Sequence, residues 1–180
     1  MRVLESDRLV LKPTEVEDLG YLLNLRWDKD VMDFLIHDPI SQKDQDNWFN
    51  GLKKTDLSMT IFLKEVNGKI IIGTIGLYQI NYRHQRAVWR IRLDPAYQKK
   101  GYAKESINML LDYGFNTLNL NKIISDSFAD NDAIVKLTLK LGFKEEGLLK
   151  NHYFHKGKFR DAIQFGLLRD DFNKNISCEI

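Results

Sequence analysis

Cysteine is almost missing from this chain. Of 180 residues only Cys178 carries a thiol, so no internal disulfide and no cysteine metal cluster can form, and no metal site is expected. A long apolar run is missing too: no stretch approaches the roughly 18 residues of a membrane span, and Met1-Arg2-Val3-Leu4-Glu5-Ser6-Asp7 has no apolar signal core. The expectation is a cytoplasmic protein without a membrane partner. Charge of one sign is also lacking, with 27 Lys and Arg against 25 Asp and Glu, a net +2. The tight lysine pairs Lys53-Lys54 and Lys99-Lys100 stand alone, whereas nucleic acid demands a concentrated basic stripe, so no nucleic-acid partner is expected. No repeat, low-complexity tract or linker interrupts the chain, and one domain over residues 1–180 is the economical reading.

What is present reads as alternating strands and helices. Arg8 to Pro13 alternates and stops at proline, an opening strand. Thr14-Glu15-Val16-Glu17 has the spacing of a capping box, which predicts a helix started by the Thr14 hydroxyl, with Leu19, Leu22, Leu23 and Trp27 as its buried stripe. Ser41, with Asp44 three residues on, caps a second helix carrying Trp48, Phe49 and Leu52. Met59 to Val66 and Lys69 to Ile80 flank Asn67-Gly68, the pair preferred in type I′ hairpins. Gly73 and Gly76 inside the second run predict a bulge or a close backbone approach. From Arg86 to Leu93, Ala87, Trp89, Ile91 and Leu93 take one face and Arg86, Val88, Arg90 and Arg92 a wetter one. A helix follows to about Thr117, then a strand over Lys122 to Phe128. A helix opened at Asp130-Asn131-Asp132 ends at Gly142, and strands over Leu148 to Phe154 and Phe159 to Leu168 close the pattern.

The chemistry concentrates in Asp94-Pro95-Ala96-Tyr97-Gln98-Lys99-Lys100-Gly101-Tyr102-Ala103-Lys104, where a strand pattern gives way to a helix. Gly101 can take a positive φ and let backbone approach a ligand. Helix starts leave N–H groups without partners at the positive end of the helix dipole, so an anion held on backbone amides is the natural occupant. Lys99, Lys100 and Lys104 add cationic charge. An ordinary surface turn would also account for this stretch on its own.

Together with the preceding strand, Gln98-Lys99-Lys100-Gly101-Tyr102-Ala103, Asn131 at a helix start and Leu141-Gly142-Phe143 at its end resemble a GNAT N-acetyltransferase. Ile80-Asn81-Tyr82-Arg83-His84, Leu111-Asp112-Tyr113-Gly114-Phe115 and Gly142-Phe143-Lys144-Glu145-Glu146-Gly147 add a likeness to the polyamine-acting members, and Gly157-Lys158-Phe159-Arg160-Asp161 to these and the ribosomal-protein-acting members. The resemblance implies an α/β fold with a mixed, mostly antiparallel sheet, two splayed parallel strands and flanking helices. It implies acetyl-CoA as cosubstrate, its pantetheine on the backbone of Ile91, Arg92 and Leu93, its pyrophosphate on the amides of Gln98, Lys99, Lys100, Gly101, Tyr102, Ala103 and Lys104, and Asn131 against its arm. It implies transfer of acetyl to a primary amine, a polyamine or a protein N-terminal α-amine, and dimers or larger rings.

Some positions depart from that pattern. Thr138 stands where the polyamine enzymes have a tyrosine general acid, and an alcohol is a far weaker acid than a phenol. Thr138 is therefore a candidate for proton transfer or for positioning water, or simply an interior helix residue, and a non-catalytic acyl-CoA-binding module stays open. Gln79, Val88 and His37 replace expected acidic residues, although Asp38 remains. Arg90 and Arg92 repel a polycation if they face the groove and suit an amine bearing an anion; His84, before the cofactor strand, is a candidate proton relay or a solvated loop residue. Tyr153 and Trp89 read as core or groove wall, Asp161 as a holder of backbone amides, and Glu145-Glu146 as a solvated turn. His152 and His155 are expected on opposite faces of a strand.

Overall fold

The computed structural model describes residues 3–33, 40–66 and 68–178. Eight strands form one sheet in the order β1-β2-β3-β4-β5-β6-β8-β7. They are β1 (Leu4–Glu5), β2 (Leu9–Pro13), β3 (Leu57–Glu65), β4 (Gly68–Asn81), β5 (Arg86–Leu93), β6 (Lys122–Phe128), β7 (Lys144–His155) and β8 (Lys158–Leu168). The helices are α1 (Leu19–Trp27), α2 (Lys29–Met32), α3 (Gln42–Asn50), α4 (Tyr102–Asp112), α5 (Asp132–Lys140) and α6 (Arg169–Cys178). Every neighbouring pair runs antiparallel except β5 and β6.

The core lies where α4 covers the middle of the sheet. Ile107, Leu110 and Leu111 of α4, with Phe115 on the π-helical turn after it, pack with Ile75, Leu77, Trp89 and Ile123. Between β4 and β5 the backbones come close enough that a Cβ on Gly73 would overlap the Arg92 carbonyl oxygen. Ile72 is the extra residue of a β-bulge, because Ile61 pairs with Gly73 and Phe62 with Ile71. Bulges bend a strand and strengthen its twist, which suits a sheet that must part beyond its centre.

Several local expectations change in tertiary context. The first cap is Glu15, not Thr14, and it opens a short 3-10 turn over Val16–Asp18. Thr14 is instead buried, its hydroxyl 3.0 Å from Ser58 Oγ, while Thr60 donates to Asp18 at 2.7 Å. A buried hydroxyl must find a partner, and β3 supplies a better one than the helix start. Trp27 is 49% exposed, with its indole N–H donated to the Ile40 carbonyl, and Leu25 takes the buried place expected of it. Gly68 pairs with Glu65 and so belongs to β4, not to the turn, and Asn67 lies outside the described residues. The core faces of the two strands set register more strongly than turn preference does. Glu145 and Glu146 belong to β7, not to a turn, and Glu146 bonds Lys122 at 2.6 Å. α6 follows β8 with Phe172 buried and was not expected from the apolar pattern. The Ser41–Asp44 capping box and the positive φ of Gly142, +89°, are as expected.

Gly20 sits inside α1, and a Cβ there would meet nothing within 4 Å. Gly20→Ala is expected to raise stability by about 0.5–1 kcal/mol, since alanine loses less backbone entropy in a helix. Chemical denaturation of the two proteins checks this.

Candidate functional site

The site begins where β5 and β6 separate. Their register pairs run from Arg86 and Lys122 to Val88 and Ile124, and stop there. Beyond that point β5 stays paired with β4 as far as Leu93, and β6 with β8 as far as Phe128. The Asp94 amide points to β4, bonding the Ile72 carbonyl at 2.9 Å. Peptide groups alternate along a strand, so Leu93 and Ile91 turn theirs into the gap and Arg92 turns its own toward β4. The arm of a cofactor would thus meet Ile91 and Leu93; the backbone of Arg92, expected to share that role, is engaged in the sheet.

The loop after β5 is built by its own side chains. Asp94 accepts the Ala96 amide at 2.9 Å and the Tyr21 hydroxyl of α1, which holds that phenol's pKa above its ordinary value together with burial. The Gln98 side chain donates to the Leu93 carbonyl at 3.1 Å and its backbone amide to Pro95, so Gln98 anchors the loop and its backbone N–H is engaged. Lys99 and Gly101 both take positive φ, +60° and +86°, and Gly101 is the N-cap of α4 without any side-chain cap. The first bond of the helix is Glu105 to Gly101, so the amides of Tyr102 and Ala103 have no helical partner. Lys104 has an interaction of its own. Arg8, which sequence reasoning missed, braces this loop. Its guanidinium donates to the Lys100 carbonyl at 3.2 Å, pairs with Glu105 and lies over the Tyr102 ring.

On the face of β5 that carries Ala87, Trp89 and Ile91, Trp89 Nε1 and Ser127 Oγ are buried without partners. By the parallel register Ser127 lies level with Ile91 across the gap. An uncompensated buried hydroxyl at that level fits a polar arm lying in the cleft. Asn131 caps α5, its Oδ1 3.4 Å from the Ile134 amide. Thr138 is 1% exposed.

The other face opens into a groove of about 870 Å³ between α1, α3, β4 and β5. Arg90 and Arg92 line it, and α1 and α3 add Arg26, Gln45 and Trp48. Gln79 is exposed at its rim; His37 and Asp38 lie outside the described residues. His84 is exposed in the β4–β5 turn, its amide on Asn81 Oδ1, and is not part of the groove wall. Arg90 reaches Asp126 of β6 at 3.6 Å, spanning the parting of the strands. Asp126 also accepts the Tyr153 hydroxyl. His155 packs on Phe128 with Nε2 buried, whereas His152 is exposed. Asp161 accepts the Asn151 amide at 2.8 Å, as expected of it, and Lys150 holds its carboxyl below the usual range.

Burial first, and then the bond to Asp126, push the Tyr153 phenol up to about 12. It therefore stays protonated at neutral pH and serves as a donor, not a base. Because the folded value exceeds the unfolded value of about 10, this contribution to stability is complete below pH 10 and is lost as pH rises toward 12. Ultraviolet titration of phenolate in wild type and Tyr153→Phe checks this: the variant lacks a late-titrating tyrosine.

An acetyltransferase (GNAT) domain model matches residues 8–144. The spermidine N(1)-acetyltransferase of Vibrio cholerae serotype O1 is 31% identical over 167 residues, 93% of this chain and 96% of that protein. The corresponding enzyme of Escherichia coli K12 is 32% identical over 162 residues, 90% and 87% of the two chains. The crystal structure of the Vibrio cholerae spermidine N-acetyltransferase with CoA and spermine superposes with a TM-score of 0.87 at 29% identity, covering 93% of this chain and 99% of that one.

Proposed function

Because the chain belongs to the GNAT family of acetyl-CoA-dependent N-acetyltransferases, we propose that it transfers acetyl from acetyl-CoA to a primary amine, with a polyamine such as spermidine as the first candidate acceptor. A protein N-terminal α-amine is the alternative. The observation that carries the reading is the parting of β5 from β6 beside an uncapped helix start.

Acetyl-CoA supplies the acyl group as a thioester: the acceptor nitrogen bonds to the carbonyl carbon, the carbon–sulfur bond breaks, and a proton leaves the nitrogen while the thiolate gains one. The Ile91 N–H, turned into the gap, donates to the carbonyl oxygen as charge builds there, commonly the largest electrostatic contribution in acyl transfer. Ile91 and Leu93 hold the pantetheine arm. The amides from Lys99 to Ala103, the dipole of α4 and the ammonium groups of Lys99, Lys100 and Lys104 hold the pyrophosphate. Asn131 adds a side-chain donor to the arm while its Oδ1 caps α5. Thr138 is enclosed in α5, and water delivers the proton to sulfur. His84 stands exposed in the β4–β5 turn, outside the groove wall, and takes no step in this scheme.

Support for the polyamine comes from the named activity of the Vibrio and Escherichia relatives. One domain over 1–180, working in the cytoplasm as a homo-oligomer, completes the proposal. The relatives' coverage of 90% or more of the chain supports the single domain; no described helix is long and apolar enough to cross a membrane. Sedimentation velocity tests the assembly, and a monomer at working concentration overturns that part. The activity is tested by release of free CoA with spermidine, spermine, a ribosomal-protein N-terminal peptide and an amino sugar. Turnover with spermidine is expected. Acetyl-CoA binding with no turnover of any amine would instead make the protein an acyl-CoA-binding module.

A further inference from the structure

The acceptor groove has the wrong balance of charge for a purely cationic ligand. Arg26, Lys53, Arg90 and Arg92 line it against two carboxylates, Asp44 and Asp56. Both carboxylates hold their own local chain: Asp44 accepts the Ser41 amide at 3.1 Å and its hydroxyl at 2.6 Å, and Asp56 accepts the amides of Lys53 and Gln79 at 3.1 and 2.9 Å. Arg90 has Asp126. Arg26 and Arg92 have no carboxylate among the described residues, and the Nε of each is buried without a hydrogen-bond partner. Arg26 lies over the Trp48 ring, its centre 5.6 Å away, which fixes the guanidinium at the groove wall. Gln45, 1% exposed in the same wall, leaves Oε1 buried and unbonded.

Buried guanidinium groups without counter-charge are costly, and two facing one groove add mutual repulsion. Burial lowers the pKa of both, and for Arg92 the charge of Arg26 lowers it further. A bound anion removes both costs, and a planar guanidinium suits the oxygens of phosphate or carboxylate. The open Gln45 carbonyl adds a place for a hydroxyl or N–H of the same ligand.

We infer that the groove contains an anion subsite, formed by Arg26 and Arg92 with Gln45 beside it, and that the preferred acceptor is a primary amine that also carries a phosphate or carboxylate group. The inference rests on the acetyl-transfer reading and, for the acceptor, sets an anionic amine ahead of spermidine. The amine would lie toward the β5–β6 parting, and the anion between α1, α3 and the outer face of β5.

The test uses matched acceptors that differ in the anion alone, glucosamine against glucosamine 6-phosphate and 3-aminopropanol against 3-aminopropyl phosphate, with spermidine alongside and acetyl-CoA saturating. The phosphorylated member of at least one pair should exceed its neutral partner by about tenfold or more in kcat/KM, mostly through KM, as expected for charge-assisted bonds. Arg26→Gln and Arg92→Gln should each bring that ratio toward one, and inorganic phosphate should compete with the phosphorylated amine. Neutral amines or spermidine matching or exceeding every anionic partner would overturn the subsite while leaving acetyl transfer intact. A ratio that survives both substitutions would overturn it as well. If no amine is turned over, acetyl transfer fails, and the subsite is judged by phosphate alone. With CoA saturating, so that the pyrophosphate site is filled, inorganic phosphate should then raise the melting temperature of wild type but not of Arg26→Gln, and its failure to do so overturns the inference.

Discussion

Gly101→Val keeps its fold and loses acetyl-CoA. At φ +86° the residue opens α4, and a β-branched side chain in that region costs about 1–3 kcal/mol. The new Cβ would stand 3.3 Å from Arg8 Nη2, in the guanidinium that braces the Lys100 carbonyl and Glu105. Strain and crowding thus act on the same short stretch of backbone whose amides are assigned to the pyrophosphate. The rest of α4 is held by Ile107, Leu110 and Leu111, so the helix persists while its first turn shifts. Calorimetric titration should show acetyl-CoA affinity weakened at least about tenfold, the equivalent of about 1.4 kcal/mol, with an unchanged circular dichroism spectrum. Gly101→Ala should fall between the two. Unchanged affinity in folded Gly101→Val would move the pyrophosphate elsewhere.

Gly73→Ala should be among the most destabilising single-methyl changes in the sheet. The added carbon would overlap the Arg92 carbonyl oxygen and stand 3.0 Å from Leu93 Cα, and backbone on backbone has no rotamer to yield. Forcing β4 and β5 apart costs about 3 kcal/mol by comparison with overpacked cores, which lowers the melting temperature by roughly 6–12 °C in a chain of this size. The same movement tilts Ile91 and Leu93, so KM for acetyl-CoA should rise together with the loss of stability. Gly147→Ala is the control: nothing lies within 4 Å of its Cβ, and a change within about 0.5 kcal/mol is expected. Equal melting temperatures for the two variants would show that β4 and β5 can separate freely.

What was legible in the sequence was what local chemistry decides. Ser41 and Asp44 close a reciprocal cap within a few residues, the alternation from Arg86 to Leu93 sorts a strand's faces, and Gly142 ends α5 in a conformation that glycine favours. Gly73 announced a close approach because no other residue fits one. What was not legible depends on partners far along the chain. Thr14 lost its capping role because Ser58 of β3 takes its hydroxyl, Trp27 left the core because Ile40 offers its indole an acceptor, and Phe172 is a single apolar residue in the stretch from Arg169 to Lys174. The loop motif was visible as a helix start, but not that Gln98 turns its side chain back onto Leu93. The same holds for the groove. Arg90 and Arg92 stood out on the wetter face of a strand, whereas Arg26 and Gln45 join them only because α1 and α3 cross that face.

The short contact between β5 and β6 has a mechanical meaning. Strands β1 to β5 form one continuous slab and β6, β8 and β7 another, and the register joining them spans only Arg86 to Val88 against Lys122 to Ile124. The molecule is thus two plates riveted at one end, with α4 and α5 as gussets. A cosubstrate lying in the open end acts as a second rivet, so resistance to unfolding should climb with its concentration. Between turnovers the enzyme is at its loosest, and amide exchange in the free edge from Trp89 to Leu93 would record how often the plates are clamped.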